Sequence, residues 1–292
     1  MTTVAFIGLG AMGARMAMNL QQAGMRLRVY NRDRAKTRAL ADLGAEVADS
    51  PAAAARGAQF VVSIVSDDQA SREVMLGASG VLSGAQAGTI IIDSSTNSPT
   101  LAREVAKAAA AKGCAYLDAP VSGSIKQAQG RELVFMVGGP QAAFEHAQPL
   151  FAAMGRLAKR AGDSGAGATI KLVNNMLSGT MTAAVAEAAQ VAEAAGVDRD
   201  AALEILGEGA AASRLLKTKL PMMFKRDFTP QFQLQLMEKD LRYFVNMASE
   251  LDQPTPIAAL VRSQYQSARR ASLGKLDACA VFLQSSGEKP AG

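Results

Sequence analysis

Val4-Ala-Phe-Ile7-Gly8-Leu-Gly10-Ala-Met-Gly13 is an apolar run that breaks into three glycines spaced G-x-G-x-x-G, and Ala14 to Gln22 behind it read as a helix. Strand, glycine turn and helix in that order are the context a dinucleotide-binding turn requires. Gly8 permits the tight turn, Gly10 lets a pyrophosphate approach the backbone, and Gly13 lets the helix pack on the strand. The helix start then presents N–H groups to the phosphates. Gly8, Leu9, Gly10, Ala11, Met12 and Gly13 together form the candidate cofactor cradle. A glycine turn by itself is a common structural device, so the rest of the chain must carry the same reading.

The second strand, Leu27-Arg-Val-Tyr30, ends at Asn31 and Arg32, with Arg34 close behind. An acidic residue here would bind the ribose 2′-hydroxyl, whereas a guanidinium binds a 2′-phosphate. The pair favours NADPH over NADH, with a solvated basic turn as the rival reading. Further strands read at Phe60–Val65, Thr89–Asp93, Cys114–Asp118 and Glu132–Val137, separated by helical stretches. That alternation predicts an α/β Rossmann-like domain, its sheet mostly parallel and covered on both faces. Ligands of such sheets bind beyond the carboxyl ends of the strands. Val65, Ser66, Thr96, Ser122 and Gly123 all stand at such ends. Singly each is equally a cap or turn residue; together they outline a rim.

Composition narrows the chemistry. The chain has 292 residues, 49% of them apolar, which is enough for two ordered domains. The net charge of +5 is dispersed, which speaks against nucleic acid and for a small anionic substrate. No apolar stretch is long enough for a membrane span, and glycines interrupt the apolar N-terminus where a signal peptide would not. The two cysteines, Cys114 and Cys279, fit no metal spacing and read as reduced thiols of a cytoplasmic protein. No metal site is expected. His146 is the only histidine and sits in a polar helical stretch, where it reads as structural. Proton transfer therefore falls to Lys, Asp, Tyr or Cys.

Beyond Gly162 no further strand pattern occurs. From about 166 to 195 the chain is rich in Ala, Met and Leu, free of proline, and stopped by Gly196. It reads as one helix, roughly 45 Å long at 1.5 Å per residue. Lys171 and Asn175 lie four apart near its glycine-rich start and so share a face. Alone, Lys171 reads as a solvated helix lysine; beside Gly165-Ala-Gly167 and Asn175 it reads as catalytic. Breaks are expected near Gly207-Glu-Gly209, Pro221, Pro230 and Pro254-Thr-Pro256. The expected division is a cofactor-binding domain, 1–163, and an all-α domain, 164–292, that opens with the interdomain helix, closes the substrate cleft and dimerises. On composition alone, Lys239-Asp240 reads as a surface ion pair.

Four stretches carry a resemblance along almost the whole chain: Gly8-Leu-Gly10-Ala-Met-Gly13 with Asn19-Leu20, Asp118-Ala-Pro-Val-Ser122-Gly123, Gly165-Ala-Gly167 with Lys171 and Asn175, and Lys239-Asp240-Leu241. In that order and spacing the chain resembles the β-hydroxyacid dehydrogenases, the group of 3-hydroxyisobutyrate dehydrogenase and glyoxylate/succinic semialdehyde reductase. The resemblance implies a Rossmann-like domain, a long interdomain helix, an all-α domain and a homodimer or homotetramer. It makes Lys171 the catalytic residue and Asn175 its positioning partner. Ser122 and Gly123 would hold a substrate carboxylate, Thr96 and Lys239 would contact the cofactor, and Phe232 and Asp240 would line the site. Ser122-Gly-Ser124-Ile-Lys126-Gln127 is similar to the stretch of the semialdehyde reductases, differing at Ile125 and Gln127. Imine reductases share the fold but usually lack the lysine.

The implied reaction is NADPH-dependent reduction of a small aldehyde or keto acid. Lys171 as ammonium stabilises the developing oxyanion and donates the proton. Acting in reverse as a base requires burial or neighbouring positive charge, and a helix start supplies the latter. The alternative is an NAD(P)-dependent dehydrogenase oxidising 3-hydroxyisobutyrate, L-serine or a similar β-hydroxyacid. A catalytically silent NADP-binding scaffold is the remaining reading, and the intact motif set argues against it.

Overall fold

The computed structural model describes residues 2–286. Its strands are β1 (Thr3–Ile7), β2 (Arg26–Tyr30), β3 (Glu46–Val47), β4 (Phe60–Ser63), β5 (Ile90–Asp93), β6 (Ala115–Asp118), β7 (Val121–Ser122), β8 (Leu133–Gly138) and β9 (Gly155–Gly162). They form one sheet in the order β3-β2-β1-β4-β5-β6-β8-β7, with β9 paired to β8. The first six are parallel to one another, and β8 runs antiparallel to β6 and β7. Alternation along each strand feeds two hydrophobic cores. Val4 and Phe6 of β1 enter one with Leu27, Val29, Val62 and Ile92, while Ala5 and Ile7 enter the other with Val61, Ile91 and Tyr116. The mostly parallel α/β reading therefore holds. Strand order reverses between β1 and β4, which places the ligand crevice at their carboxyl ends.

Two details of the sheet differ from the reading of the sequence. β4 stops at Ser63 instead of running to Val65, because the Val65 N–H donates to the Ser95 hydroxyl at 2.9 Å and leaves the ladder. β9 was not legible as a strand: its sequence, Gly-Arg-Leu-Ala-Lys-Arg-Ala-Gly, carries three cations and little apolar alternation. It pairs with β8 alone, and its charges suit an edge that must not recruit another strand.

Contacts divide the chain into two compact units, the first ending at Lys171 and the second beginning at Leu172. The division falls inside one continuous helix, Ala166–Ala194. Its stop is a Schellman motif: Gly196, at φ +74°, donates to Glu193 O and Val197 donates to Ala192 O. Among the described residues the second unit is helical, its only β feature an isolated bridge between Gln233 and Asp277. No helix there is long and apolar enough to cross a membrane. Pro221 does not break the chain as expected but sits inside the helix Arg214–Lys225. Burial of Leu216, Leu220, Met223 and Phe224 in a common core outweighs the one hydrogen bond that proline removes.

A buried carboxylate ties this unit together. Asp277 is fully buried, and its oxygens accept from Lys219 Nζ at 2.8 Å and from the N–H groups of Gln231, Phe232 and Cys279. Burial opposes its charge, yet Lys219 and the Cys279 N–H together hold the carboxyl below its usual range. A depressed acid contributes stability above its unfolded-state value, and that contribution is lost as pH falls through the folded one. Lys219→Met should lower the unfolding free energy by about 3 kcal/mol at neutral pH. In urea titrations the gap from wild type should narrow in acid, where Asp277 is neutral in both proteins.

Candidate active site

The glycine turn is built by backbone crowding. Gly8 has φ +93°, and a Cβ on it would lie 2.1 Å from Ile64 O. A Cβ on Gly13 would lie 2.0 Å from Gly8 O. Packing within the protein therefore accounts for both. Gly10 is different: it is exposed, and a Cβ there would meet nothing within 4 Å. The protein leaves that space open, which fits the approach of a dinucleotide pyrophosphate. Asn31 locks the turn from the end of β2, its Oδ1 accepting from Leu9 N at 2.8 Å and its Nδ2 donating to Asp33 O at 2.8 Å. Leu9 buries its side chain in the core, so it can meet a ligand only through its backbone. Ala11 and Arg32 are exposed and Met12 is half-buried. Arg34 pairs with Asp49 at 2.5 Å in an exposed bridge.

The rim beyond β4 and β5 is organised by Asp93. Its Oδ1 accepts from Ser63 Oγ and Ser95 N, and its Oδ2 from Ser71 Oγ, Asn97 Nδ2 and Tyr116 Oη. Burial, then the Asp93 and Asp118 charges, push the Tyr116 phenol well above its usual range, so it serves as a donor throughout ordinary pH. Ser95 in turn holds Val65. Thus one carboxylate fixes two loops that carry Val65, Ser66 and Thr96. Thr96 and Val65 are half-buried, and exposed Ser66 donates to Asp67 Oδ2 at 2.8 Å.

Ser122 is half-buried at the end of β7, and Gly123 follows at φ +138°, where a Cβ would come within 2.8 Å of Leu133. Gln127 accepts from both the N–H and the hydroxyl of Ser124 and so serves a local helix cap. Asn19, from the first helix Gly13–Gln22, donates to Ala128 O at 2.8 Å and ties that segment to the glycine turn's helix. Lys171 is buried to 8% exposure, in the second turn of the long helix.

In the second unit Asn175 Nδ2 donates to Asp240 Oδ2 at 2.6 Å, and Asp240 Oδ1 lies 3.2 Å from Lys239 Nζ. Lys239 also stands over the Tyr243 ring, 5.2 Å from its centroid. The Lys239-Asp240 pair is not on the surface, as composition alone suggested; the two are 8% and 1% exposed. Their helix, Leu234–Glu250, buries that face. Phe232 is half-buried, its N–H held by Asp277 at 3.1 Å. His146 is exposed and lays its ring edge against Phe60, which suits a structural role. Among the described residues no group of His, Cys, Asp or Glu could hold a metal.

Residues 3–163 match the family model for the NAD binding domain of 6-phosphogluconate dehydrogenase, and residues 165–283 that for NAD-binding of NADP-dependent 3-hydroxyisobutyrate dehydrogenase. The chain is 38% identical to 3-hydroxyisobutyrate dehydrogenase of Pseudomonas aeruginosa, covering 91% of each chain. It is 34% identical to glyoxylate/succinic semialdehyde reductase 1 of Arabidopsis thaliana, covering 96% of each. The structure of Mycobacterium tuberculosis 3-hydroxyisobutyrate dehydrogenase with L-serine superposes with a TM-score of 0.89 at 32% identity, over 97% of this chain and 98% of that one. The chain belongs to the β-hydroxyacid dehydrogenase family.

As a β-hydroxyacid dehydrogenase it is an NAD(P)-dependent oxidoreductase acting on CH–OH donors. The space at Gly10 is open, as a dinucleotide-binding turn requires. The residues of this dehydrogenase that went unnoticed in the sequence are Asp93, Ser95 and Asp277. A carboxylate ending an apolar strand, as in Ile-Ile-Ile-Asp93, is the signal that could have revealed the first. Gly10→Ala should leave the melting temperature of the cofactor-free protein unchanged and weaken NADPH binding about tenfold, or ~1.4 kcal/mol. Gly13→Ala should cost about 3 kcal/mol of stability, from overpacking against backbone. Thermal melts and cofactor titrations by NADPH fluorescence separate the two.

Proposed function

We propose that this dehydrogenase uses NADPH to reduce a small aldehyde acid, such as glyoxylate or succinic semialdehyde, to the hydroxyacid. The observation that carries the reading is a lysine, Lys171, buried on the helix that begins Gly165-Ala-Gly167. Bound NADPH supplies the hydride to the carbonyl carbon. Lys171 as ammonium faces the carbonyl oxygen, stabilises its growing charge and delivers the proton; as amine it takes the hydroxyl proton in the reverse direction. Asn175, anchored by Asp240, positions the substrate oxygen one helical turn from Lys171. The Ser122 hydroxyl and Gly123 N–H hold the substrate carboxylate. Thr96, Lys239, Val65 and Ser66 meet the cofactor, and Phe232 lines the site.

The NADPH preference rests on Arg32, an exposed guanidinium at the end of β2 where NAD-binding turns carry an acid. Residues 1–163 are read as the cofactor-binding domain and 164–292 as the self-associating one. Along the long helix Leu177, Met181, Ala184, Ala188 and Val191 form one exposed apolar stripe, which supports a homodimer or homotetramer. A second reading, oxidation of 3-hydroxyisobutyrate or a similar β-hydroxyacid, is favoured by the 38% identity to the Pseudomonas enzyme.

A spectrophotometric screen of NADPH consumption across small semialdehydes and keto acids, with the reverse assay on β-hydroxyacids, decides between the two. Lys171→Ala should lower kcat for the best substrate by about 10²- to 10⁴-fold without changing NADPH affinity. Turnover within a few-fold of wild type would sink the mechanism. Arg32→Ala should raise the KM for NADPH about tenfold and leave that for NADH unchanged. A wild-type preference for NADH would overturn the reading of Arg32.

A further inference from the structure

The helix that carries Lys171 has no side chain of its own to cap it. Its N-terminal flank is Gly165, at φ +96°, and the first helical residues are Ala166, Gly167 and Ala168. The cap comes from 47 residues away. Asp118, the last residue of β6, is 3% exposed; its Oδ1 accepts from Gly165 N at 2.9 Å and its Oδ2 from Ala168 N at 2.9 Å. One carboxylate thus satisfies two of the N–H groups that every helix start leaves without intrahelical partners.

Glycines hold this arrangement without slack. A Cβ on Gly167 would lie 2.2 Å from Asp118 O and 2.4 Å from Met136 O. A Cβ on Gly138 would lie 2.6 Å from an Asp118 carboxylate oxygen and 2.8 Å from Gly167 N. The helix start is pressed directly onto the ends of β6 and β8, with Asp118 between. Lys171 lies three residues past Ala168, close to one turn, so both its height along the helix axis and its rotation about it follow from this clamp.

We propose that Asp118 is a positioning residue for proton transfer, which sets the place of the Lys171 ammonium by clamping the start of its helix to the sheet. The proposal rests on the reading of Lys171 as the acid/base. It also explains why the Gly165-Ala-Gly167 motif accompanies the lysine: the glycines are there for the clamp, not for a phosphate.

The clamp is sensitive to charge. Burial pushes the Asp118 carboxyl up to about 6; the Gly165 and Ala168 N–H bonds pull it down, and the Asp93 carboxylate at the end of β5 adds to the rise. Tyr116 on β6, whose phenol donates to Asp93, and the Arg103 guanidinium beside Gly165 are further charged or titratable groups near it. β8 brings backbone to this point, at Gly138 and the Met136 carbonyl. Protonation leaves Asp118 with one good acceptor oxygen and one hydroxyl, so one of the two N–H bonds is lost. Asn at 118 imitates that state permanently.

The test is a double-mutant cycle on the full-length enzyme with NADPH and whichever of glyoxylate and succinic semialdehyde is reduced faster. Asp118→Asn should lower kcat about 10- to 100-fold while NADPH affinity stays within twofold, and in a Lys171→Ala background it should change kcat by less than twofold. Wild-type kcat should fall below pH about 6 toward the Asp118→Asn value, and the Asp118→Asn profile should be flat there. A folded Asp118→Asn enzyme with wild-type kcat, or an equal proportional loss in both backgrounds, overturns the proposal. Wild-type turnover by Lys171→Ala alone instead overturns the acid/base reading, whatever Asp118→Asn does. Should Asp118→Asn not fold, the wild-type profile decides: a limb near pH 6 supports the clamp, and constant kcat from pH 5 to 8 overturns it.

Discussion

Backbone meets backbone at the carboxyl rim of the sheet, and the positions of the loops depend on that contact. Gly8 lies against Ile64 O, Gly13 against Gly8 O, and Gly167 against the carbonyls of Asp118 and Met136. A methyl group at any of them would force apart elements that have no room to move. Two helices, the one after β1 and the one carrying Lys171, are brought onto the strand ends in this way. Side chains elsewhere fill volume; here their absence sets distance.

Once the backbone is that close, buried polar groups need partners inside the protein, and carboxylates supply them. Asp93 gathers donors from β4, β6, the helix after β4 and the loop after β5. Asp118 caps the long helix, Asp240 holds the Asn175 amide, and Asp277 collects Lys219 with three backbone N–H groups. Each would be costly to bury alone, and each is met by hydrogen-bond donors or a paired cation. The recurrence is a design logic: a rigid anion under a loop or a helix start holds the residue above it in one place. Tyr116 belongs to the same scheme, as a phenol kept protonated by its burial and by the anions around it.

The expectations drawn from sequence succeeded where a local pattern has one physical meaning. An apolar run leading into Gly8, Gly10 and Gly13 read as strand and turn because little else suits that order. Gly196 read as a helix stop because a left-handed residue suits glycine, and the structure has φ +74° there. Where the pattern has two meanings, tertiary context decided. Pro221 stays within a helix because four apolar neighbours are buried, and Lys239-Asp240 is internal because its helix turns that face inward. β9 hid behind three cations, since an edge strand needs no apolar alternation.

By itself the sequence determined the α/β architecture, the cofactor class, the long helix with its end, and the lysine to suspect, because glycine spacing and hydrophobic period are local properties. Only the tertiary structure decided what holds those groups. That Gly10 faces open space while Gly8 and Gly13 face backbone is a matter of what lies across the fold. That Asp118 caps a helix beginning 47 residues later, and Asp277 a loop 45 residues earlier, depends on long-range approach. The strength of such bonds comes from burial, and burial belongs to the folded chain and not to any stretch of it.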